Sequence, residues 1–404
     1  MSTYTTLNDP EIDEKVNNIV EFIKNEIVKN FHPKSIILKG SFGRGEISVI
    51  KENTELKLLS DCEIIVIKNK HKKGIEYSEL SENLIKTMGL KIEMGELELE
   101  LDFCLKFHLW NKILPTIDNY ELKYGSRSIY GENFLEKIPD FKAEDIPVWE
   151  GIRLMFNRMV ESLEYFSVKY FIEYPSKENE FKLFFWTNKI ILACQDALLI
   201  LAKKYHYSYK IRGERFQEIF PKSFTGLNKE IPNFLSLTKI ATEYKLNPSE
   251  NYVKDVIKFW FEVAEIVDKV FRFIIEEDMG IKFYSYIEFQ EKYLKHPYIR
   301  KKYYRGLSPN PLYQNFRSAM KMRILGHKFP SIKFVQKGFI PWSHLVYSYV
   351  PLIYFGIVRN NGCDESYLKY VNEILGLKSS NDQEISSRYL FIKEFLNLWR
   401  TTCY

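Results

Sequence analysis

Apolar residues near the amino terminus recur at helical spacing. Asp9 and Pro10 are the residue types of a helix N-cap and a first helical position. The aliphatic residues that follow at this spacing are Ile12, Val16, Ile19, Val20, Ile23 and Ile27. The pair His32-Pro33 interrupts the pattern. The pattern predicts an amphipathic opening helix that ends near residue 32.

Three short segments have the patterns of β-strands. Residues 35–38 are an apolar run that stops at a Gly-Ser-Phe-Gly turn, and residues 64–67 are a second run rich in β-branched side chains. We expect these two runs to pair in one sheet. From Glu96 to Phe103 acidic and apolar residues alternate strictly, so Glu96, Glu98, Glu100 and Asp102 share one face of a third predicted strand.

Beyond Pro147 the pattern becomes helical, notably over residues 148–170 and 181–205. Prolines at positions 175, 221, 232 and 248 are expected breaks between helical units. The chain is therefore predicted to be an α+β protein, with the strands near its amino terminus and a mostly α-helical remainder.

Composition narrows the class of protein without identifying it. The 404 residues are 45% hydrophobic, which argues against intrinsic disorder, and a net charge of +5 is too small to indicate a polyanionic partner. Five scattered cysteines favour a reducing compartment. The amino terminus lacks a signal-peptide pattern, and the most apolar run, residues 190–202, is short and contains Gln195 and Asp196. We expect a cytoplasmic protein without a membrane segment.

The acidic residues before the second strand suggest metal chemistry. Asp61 and Glu63 lie at i and i+2, so on a strand both carboxylates project to the same side. Carboxylate oxygens are the ligands that Mg²⁺ prefers, and transfer of a nucleoside monophosphate uses two such ions. A third carboxylate from a neighbouring strand would complete the site, and either Glu100 or Asp102 can supply it. Asp102 is preferred because the apolar residues 103–105 follow it.

Two segments together resemble the signature of the DNA polymerase β-like nucleotidyltransferases, most closely their minimal and kanamycin-type branches. They are residues 39–46, Lys-Gly-Ser-Phe-Gly-Arg-Gly-Glu, and residues 60–65, Ser-Asp-Cys-Glu-Ile-Ile. The resemblance covers roughly residues 10–140 and implies a mixed sheet with flanking helices. The chain departs from the family pattern in its long spacer between Ser41 and Asp61, in Glu63 where aspartate is commoner, and in its ambiguous third carboxylate.

By this resemblance, Gly40 and Ser41 hold a nucleoside triphosphate such as ATP. Asp61, Glu63 and Asp102 bind two magnesium ions, or manganese in their place, and the third carboxylate assists deprotonation of the acceptor. Arg44 is a further candidate for nucleotide binding, although it could equally pair with Glu46. The expected organisation is a catalytic domain at residues 1–140, a helical bundle at 141–280 and a basic, mostly helical region at 281–404.

The basic region suggests a further partner. Between residues 291 and 337 lysines and arginines outnumber acids, and aromatic residues such as Tyr293 and Phe316 are interleaved with them. This combination is typical of single-stranded nucleic-acid binding, but a solvated helical face with core aromatics has the same pattern. The leading hypothesis is a nucleotidyltransferase acting on a hydroxyl of RNA, protein or a small molecule. The alternatives are a catalytically slow, antitoxin-like nucleotide-binding module and an RNA-binding protein; the oligomeric state is open.

Overall fold

The computed structural model describes residues 4–52, 55–67, 100–103, 113–249, 253–296, 311–324, 340–358, 367, 370–371 and 385–403. The elements of the sheet region are, in chain order, α1 Pro10–Phe31, β1 Ser35–Leu38, α2 Gly40–Arg44, β2 Val49–Glu52, β3 Glu55–Leu58, β4 Glu63–Ile67, β5 Glu100–Phe103, α3 Ile117–Gly125 and β6 Arg127–Gly131. The helices that follow are α4 Val148–Tyr165, α5 Lys177–Leu201, α6 Tyr209–Ser223, α7 Thr225–Glu230, α8 Phe234–Leu246, α9 Val256–Met279, α10 Tyr286–Lys295, α11 Pro311–Ile324, α12 Trp342–Val358 and α13 Ile385–Cys403. The α+β class is confirmed.

The chain forms two compact units, in contrast to the three consecutive domains expected to end at residues 140, 280 and 404. The first unit comprises Met1–Glu150, Ala202–Asn228 and Pro232–Asn251. The second comprises Gly151–Leu201, Lys229–Ile231 and Tyr252–Tyr404. Helices α6 and α8 therefore belong with the sheet, because their residues hydrogen-bond to it: Ser48 Oγ donates to the Lys245 carbonyl oxygen at 2.6 Å.

A four-stranded mixed sheet is the centre of the first unit. Its strand order is β5-β4-β1-β6, in which β1 is antiparallel to β4 and β6, while β4 and β5 are parallel. The expected pairing of residues 35–38 with residues 64–67 is confirmed. Strands β2 and β3 form a separate antiparallel pair, and this hairpin lies within the long spacer that distinguishes the chain from the family pattern.

Helix α1 begins and ends where the sequence predicts. The Asp9 carboxylate accepts hydrogen bonds from the amides of Glu11 and Ile12, Pro10 is the first helical residue, and His32 closes the helix in the left-handed conformation. The apolar face of α1 packs in one cluster with alternate residues of β4 and the residue before it, namely Cys62, Ile64 and Val66. One face of the sheet is thereby covered.

Two sequence-based expectations about elements were wrong. The Gly-Ser-Phe-Gly segment is a short helix, α2, where we expected a turn. Pro221 lies inside α6, two residues before its last residue, Ser223, where we expected a break. Of the strand predicted over residues 96–103, the structure describes residues 100–103, which do form a strand; residues 96–99 lie outside the described part of the chain.

Aromatic residues fill the core of the second unit. Helix α5 packs against α9, and Trp260 of α9 stacks on Phe166 with ring centroids 4.0 Å apart. The Trp260 indole N–H donates to Ser162 Oγ at 2.7 Å, so its polar atom is satisfied within this core.

Candidate active site

Gly40 is the point at which the chain turns from β1 into α2. Its φ of 61° lies in the left-handed region, which a residue with a side chain rarely adopts. A Cβ atom built at this position would lie 2.6 Å from Oε1 and 2.9 Å from Cδ of Glu63. The backbone conformation therefore favours glycine at this position, and the absence of a side chain lets the carboxylate of Glu63 lie against it.

The neighbouring motif residues pack α2 closely against the sheet. Ser41 is buried beside Gly40 at the start of this helix. A Cβ atom at Gly43 would lie 2.5 Å from the carbonyl oxygen of Leu38 and 2.7 Å from that of Gly125, so the absence of a side chain permits close contact with β1 and α3. The second glycine of the motif thus has a packing role.

The side chains of Asp61 and Glu63 are accessible to solvent, whereas that of Cys62, between them, points into the core. Cys62 is fully buried in the cluster with α1, whereas Asp61 is exposed and Glu63 is partly exposed. Burial, together with the negative charges of Glu63 and Asp61, raises the pKa of the Cys62 thiol. Strand β4 begins at Glu63, so Asp61 precedes the strand on which we had placed it. The predicted alternation of side chains is nevertheless present.

Lys39 forms an ion pair with Glu63. Its Nζ atom is 3.0 Å from Glu63 Oε2, and the two side chains are 23% and 27% exposed. The Lys39 amide also donates to the Glu63 carbonyl oxygen at 2.9 Å, which fixes the two backbones side by side. Sequence reasoning missed this role for Lys39, since nothing in the spacing indicates that its ammonium group would reach Glu63.

The pairing of β4 with β5 bears on the choice of third carboxylate. In this parallel pair Glu63 is opposite Glu100, and Ile65 is opposite Asp102. Asp102 is therefore displaced by two residues, about 7 Å along the strand, from the level of Glu63. The backbone register brings Glu100, and not the preferred Asp102, to the end of the sheet where Asp61, Glu63 and Gly40 meet. The apolar residues after Asp102 could not have revealed this register.

Asp61 and Glu63 are the two described carboxylates that could hold a divalent ion at this site. Asp61 and Glu63 provide accessible carboxylate oxygens of the type Mg²⁺ prefers, next to a glycine that leaves the Glu63 carboxylate uncovered. Among residues that the structure describes, no group of three or more His, Cys, Asp or Glu side chains is close enough to hold a metal ion. The two carboxylates fit a divalent ion once a third oxygen ligand joins them, and the start of β5 is adjacent.

Arg44 is engaged in ion pairs inside the first unit. Its Nη1 atom donates to Glu121 Oε2 at 2.7 Å, its Nε atom is 3.6 Å from Glu46 Oε2, and its side chain is only 6% exposed. Burial works against the charged guanidinium, but Glu121, the Tyr209 phenol and Glu46 outweigh it and raise the pKa of Arg44. Of the two roles that the sequence left open, this geometry supports pairing with Glu46.

Glu46 caps the amino terminus of α6. Its carboxylate accepts hydrogen bonds from Ser208 Oγ at 2.6 Å, from the Tyr209 amide at 2.9 Å and from the Lys210 amide at 3.2 Å. A negative charge is favourable at this end of a helix, where amide groups lack intrahelical partners. The Arg-Gly-Glu part of the motif therefore joins the sheet to α6.

Residues of α6 and the segment before it complete this ionic network. Tyr205 Oη donates to Glu121 Oε1 at 2.6 Å and accepts from Arg212 Nη1 at 2.5 Å. The Arg212 guanidinium lies 3.8 Å from the centre of the Tyr209 ring, a cation–π distance. The pairing of this segment with Arg44 and Glu121 could not be predicted from the sequence.

The described part of the basic region is divided between core and surface. Tyr293 is buried, and its hydroxyl is 3.1 Å from His344 Nδ1, so of the two alternatives for the aromatics of this region it fits a core residue. Helix α11 is different: Phe316 is 63% exposed, and Arg317, Lys321 and Arg323 are exposed on a helix without acidic residues. Most of the other cations and aromatics of residues 291–337 lie outside the described residues.

Helix α5 is the one described helix that is long and apolar enough to cross a membrane, with a mean hydropathy of 1.4. Of this apolar stretch, 89% is buried inside the protein, as in the core helix of a soluble protein. Gln195 of this helix is buried, and neither amide atom of its side chain has a hydrogen-bond partner among the described residues.

Comparison of the whole chain with protein-family models, with curated proteins and with solved structures finds no match.

Proposed function

We propose that the protein is a metal-dependent nucleotidyltransferase, which moves a nucleoside monophosphate from a nucleoside triphosphate to a hydroxyl group. The observation that carries this proposal is the position of the Glu63 carboxylate, which lies against the side-chain-free Gly40 and follows the exposed Asp61. The start of the parallel strand β5 is next to Glu63. A site for a metal-bound triphosphate needs carboxylates for the metal and backbone free of side chains for the phosphates. Asp61, Glu63 and the adjacent acidic strand supply the first, and Gly40 supplies the second.

Two magnesium ions, or manganese in their place, would neutralise the triphosphate and lower the pKa of the acceptor hydroxyl. Asp61 and Glu63 would hold them together with a carboxylate of β5, and the register favours Glu100 for that role. In the reaction the acceptor oxygen forms a bond to the α-phosphorus, the bond to the bridging oxygen breaks, and pyrophosphate leaves. The hydroxyl proton passes to the third carboxylate, while Gly40 and Ser41 border the phosphates.

The decisive experiment detects transfer of label. The protein is incubated with each of the four α-³²P-labelled ribonucleoside triphosphates, MgCl₂ or MnCl₂, and a cell extract, and labelled RNA, protein and small molecules are separated. We expect one acceptor class to acquire label. The double variant Asp61→Asn/Glu63→Gln should abolish transfer, whereas Glu218→Gln, at an exposed carboxylate of α6, should not.

The same assay distinguishes the two candidates for the third carboxylate. Because an amide preserves the side-chain shape but cannot ligate a metal as an anion, Glu100→Gln should abolish transfer and Asp102→Asn should leave most of it. The reverse result would restore Asp102, the choice made from the sequence. If both variants remain active, the third ligand comes from elsewhere in the chain.

A catalytically slow, antitoxin-like nucleotide-binding module is the first alternative. Such a module would bind a triphosphate through Gly40 and Glu63 yet transfer no label to any fraction of the extract. Equilibrium dialysis with the same labelled triphosphates separates this outcome from loss of the nucleotide site.

Contact with RNA is a second candidate function, because helix α11 exposes Phe316 next to cations and contains no acidic residue. Removing two phosphate contacts should reduce the slope of log affinity against log salt by about 1.4 for single-stranded RNA. We therefore expect Arg317→Gln/Arg323→Gln to flatten the salt dependence of RNA binding. The charge-matched control is Lys258→Gln/Lys282→Gln, at two exposed lysines of the same unit. If both double variants show the same slope of log affinity against log salt, the cations of α11 do not contact RNA and form a solvated helical face.

A further inference from the structure

The carboxylate assigned to a metal ion already has a cation of the chain beside it. Lys39 Nζ is 3.0 Å from Glu63 Oε2, within direct ion-pair distance. On the other side of the carboxylate, Oε1 lies 2.6 Å from the position that a Cβ of Gly40 would take. Glu63 is therefore held between a glycine backbone on one oxygen and an ammonium group on the other.

The ion pair is accessible to exchange with solvent ions. Both side chains are about one quarter exposed, so neither charge is sealed in the core. A pair of this kind is weak, typically about 0–1 kcal/mol, because water solvates both partners when they separate. The backbone hydrogen bond from the Lys39 amide to the Glu63 carbonyl oxygen does not depend on the side chains, so it can persist when the ion pair opens.

We propose that Lys39 is an exchangeable counter-ion of Glu63, which neutralises this carboxylate in the metal-free protein and competes with a divalent ion for it. The inference rests on the proposed role of Asp61 and Glu63 in metal binding. Two adjacent anions without a cation would repel each other, and Lys39 offsets one of them until the metal binds. Its ammonium therefore lowers the affinity of the site for the metal and keeps Glu63 against Gly40 in the meantime.

The prediction is that removing the positive charge tightens metal binding. Lys39→Met keeps the length and apolar character of the side chain but has no ammonium group, whereas Lys39→Arg retains a cation. We expect the Kd for Mn²⁺, measured without nucleotide by electron paramagnetic resonance of the free ion, to fall roughly five-fold in Lys39→Met, equivalent to about 1 kcal/mol. Lys39→Arg should remain within two-fold of the wild type. A merely structural role for the aliphatic stem would not predict this difference between Lys39→Met and Lys39→Arg, because both variants keep a stem.

A matched control uses another partly buried lysine in an ion pair. Lys24 Nζ is 2.5 Å from Glu21 Oε2 in α1, and the Lys24 side chain is 19% exposed. Lys24→Met should leave Mn²⁺ binding unchanged, so an effect confined to Lys39→Met is not a consequence of net charge. Lys39→Gln serves as a second neutral variant if Lys39→Met does not fold.

The outcomes separate this inference from the proposed function. If wild-type protein binds Mn²⁺ and Glu63→Gln weakens it, but neutral variants of Lys39 bind with unchanged or lower affinity, the counter-ion role is refuted and the metal site stands. If Mn²⁺ binds the wild type and Glu63→Gln equally, the proposed metal role of Glu63 is itself refuted. The proposed competition between Lys39 and the metal is then refuted as well. Tighter binding in Lys39→Met and Lys39→Gln alone supports the inference.

Discussion

Replacing Gly40 with alanine tests the geometry at the centre of the proposed site. Alanine must adopt a φ of 61°, and its methyl group would lie 2.6 Å from Glu63 Oε1. Ordinary contacts between heavy atoms are about 3.5–4 Å, so the carboxylate has to move by roughly 1 Å. The Glu63 side chain is flexible and can move, but it then leaves the position in which it contacts Gly40 and Lys39.

The cost in stability has two main parts. A left-handed conformation costs a residue with a Cβ about 1–2 kcal/mol relative to the right-handed one. Displacing Glu63 weakens its ion pair with Lys39, which contributes about 0–1 kcal/mol because both side chains are partly exposed. We therefore expect Gly40→Ala to lower the free energy of unfolding by about 1–3 kcal/mol, as measured by urea denaturation.

Two other glycines separate these contributions. Gly280 has a φ of 64° but no heavy atom within 4 Å of its built Cβ, so Gly280→Ala incurs the backbone cost without the contact. Gly226 has an equally open surrounding and lies in α7, where alanine is the better helix former, so Gly226→Ala should be neutral or slightly stabilising. Of the three variants, only Gly40→Ala should weaken binding of Mn²⁺ and of a nucleoside triphosphate.

The binding measurement decides the matter. If Gly40→Ala binds Mn²⁺ and triphosphate as wild type does and is no less stable than Gly280→Ala, the approach of Glu63 to Gly40 has no functional consequence. A loss of binding in all three glycine variants would point instead to a general loss of folding, which circular dichroism detects.

Three further predictions concern the surroundings of the site. Arg44→Met should cost at most about 3–5 kcal/mol of stability, because it removes the buried cation beside Glu46 and one of the two beside Glu121, where Arg212 remains. A double-mutant cycle with Glu121→Gln should show strong coupling. A variant with normal stability but weakened triphosphate binding would instead make Arg44 a phosphate ligand. Burial is the main cause that lowers the pKa of His206 to about 4 in the folded protein, and two nearby arginines lower it further. The free energy of unfolding should therefore decrease as the pH falls from about 6.5 towards 4, because the unfolded protein then binds a proton that the folded protein does not. His206→Asn should flatten this pH dependence, as measured by urea denaturation at each pH. The buried Cys62 thiol should react with a thiol reagent only after denaturation, and rapid labelling of the native protein would contradict its packing against α1.

Local patterns were sufficient to predict α1, β1, β4 and the described part of β5. The cap at Asp9, the proline after it and the spacing of aliphatic residues predict α1 because each depends only on neighbours within two turns. The alternation around Cys62 likewise predicts which side chain is buried. The helical start at Gly40 was missed because a glycine, a serine and a second glycine are individually typical of turns.

Relations between distant segments could not be predicted in the same way. The choice between Glu100 and Asp102 depends on the register of β5 against β4, and a shift of two residues leaves the sequence pattern of each strand unchanged. A strand with acids at every second position offers several equivalent registers to its neighbour. The register is decided by contacts between neighbouring strands, and the alternation of residues within one strand contains no information about those contacts.

The Arg-Gly-Glu segment shows how a sequence pattern can leave the role of a residue open. Arg44 follows a glycine turn of the kind that borders phosphates, and its charge suits that role as well as it suits an ion pair. What distinguishes the two is Glu121, a residue 77 positions away whose carboxylate is 2.7 Å from the guanidinium. Glu46 in turn caps a helix that begins at Tyr209, more than 160 positions later. Because α6 comes from a region that the sequence placed in a separate helical domain, the hydrogen bonds between Glu46 and the start of this helix explain why α6 belongs to the first unit. An arginine next to a phosphate-binding turn can therefore be assigned to the phosphate only after the carboxylates that the fold brings to it are known.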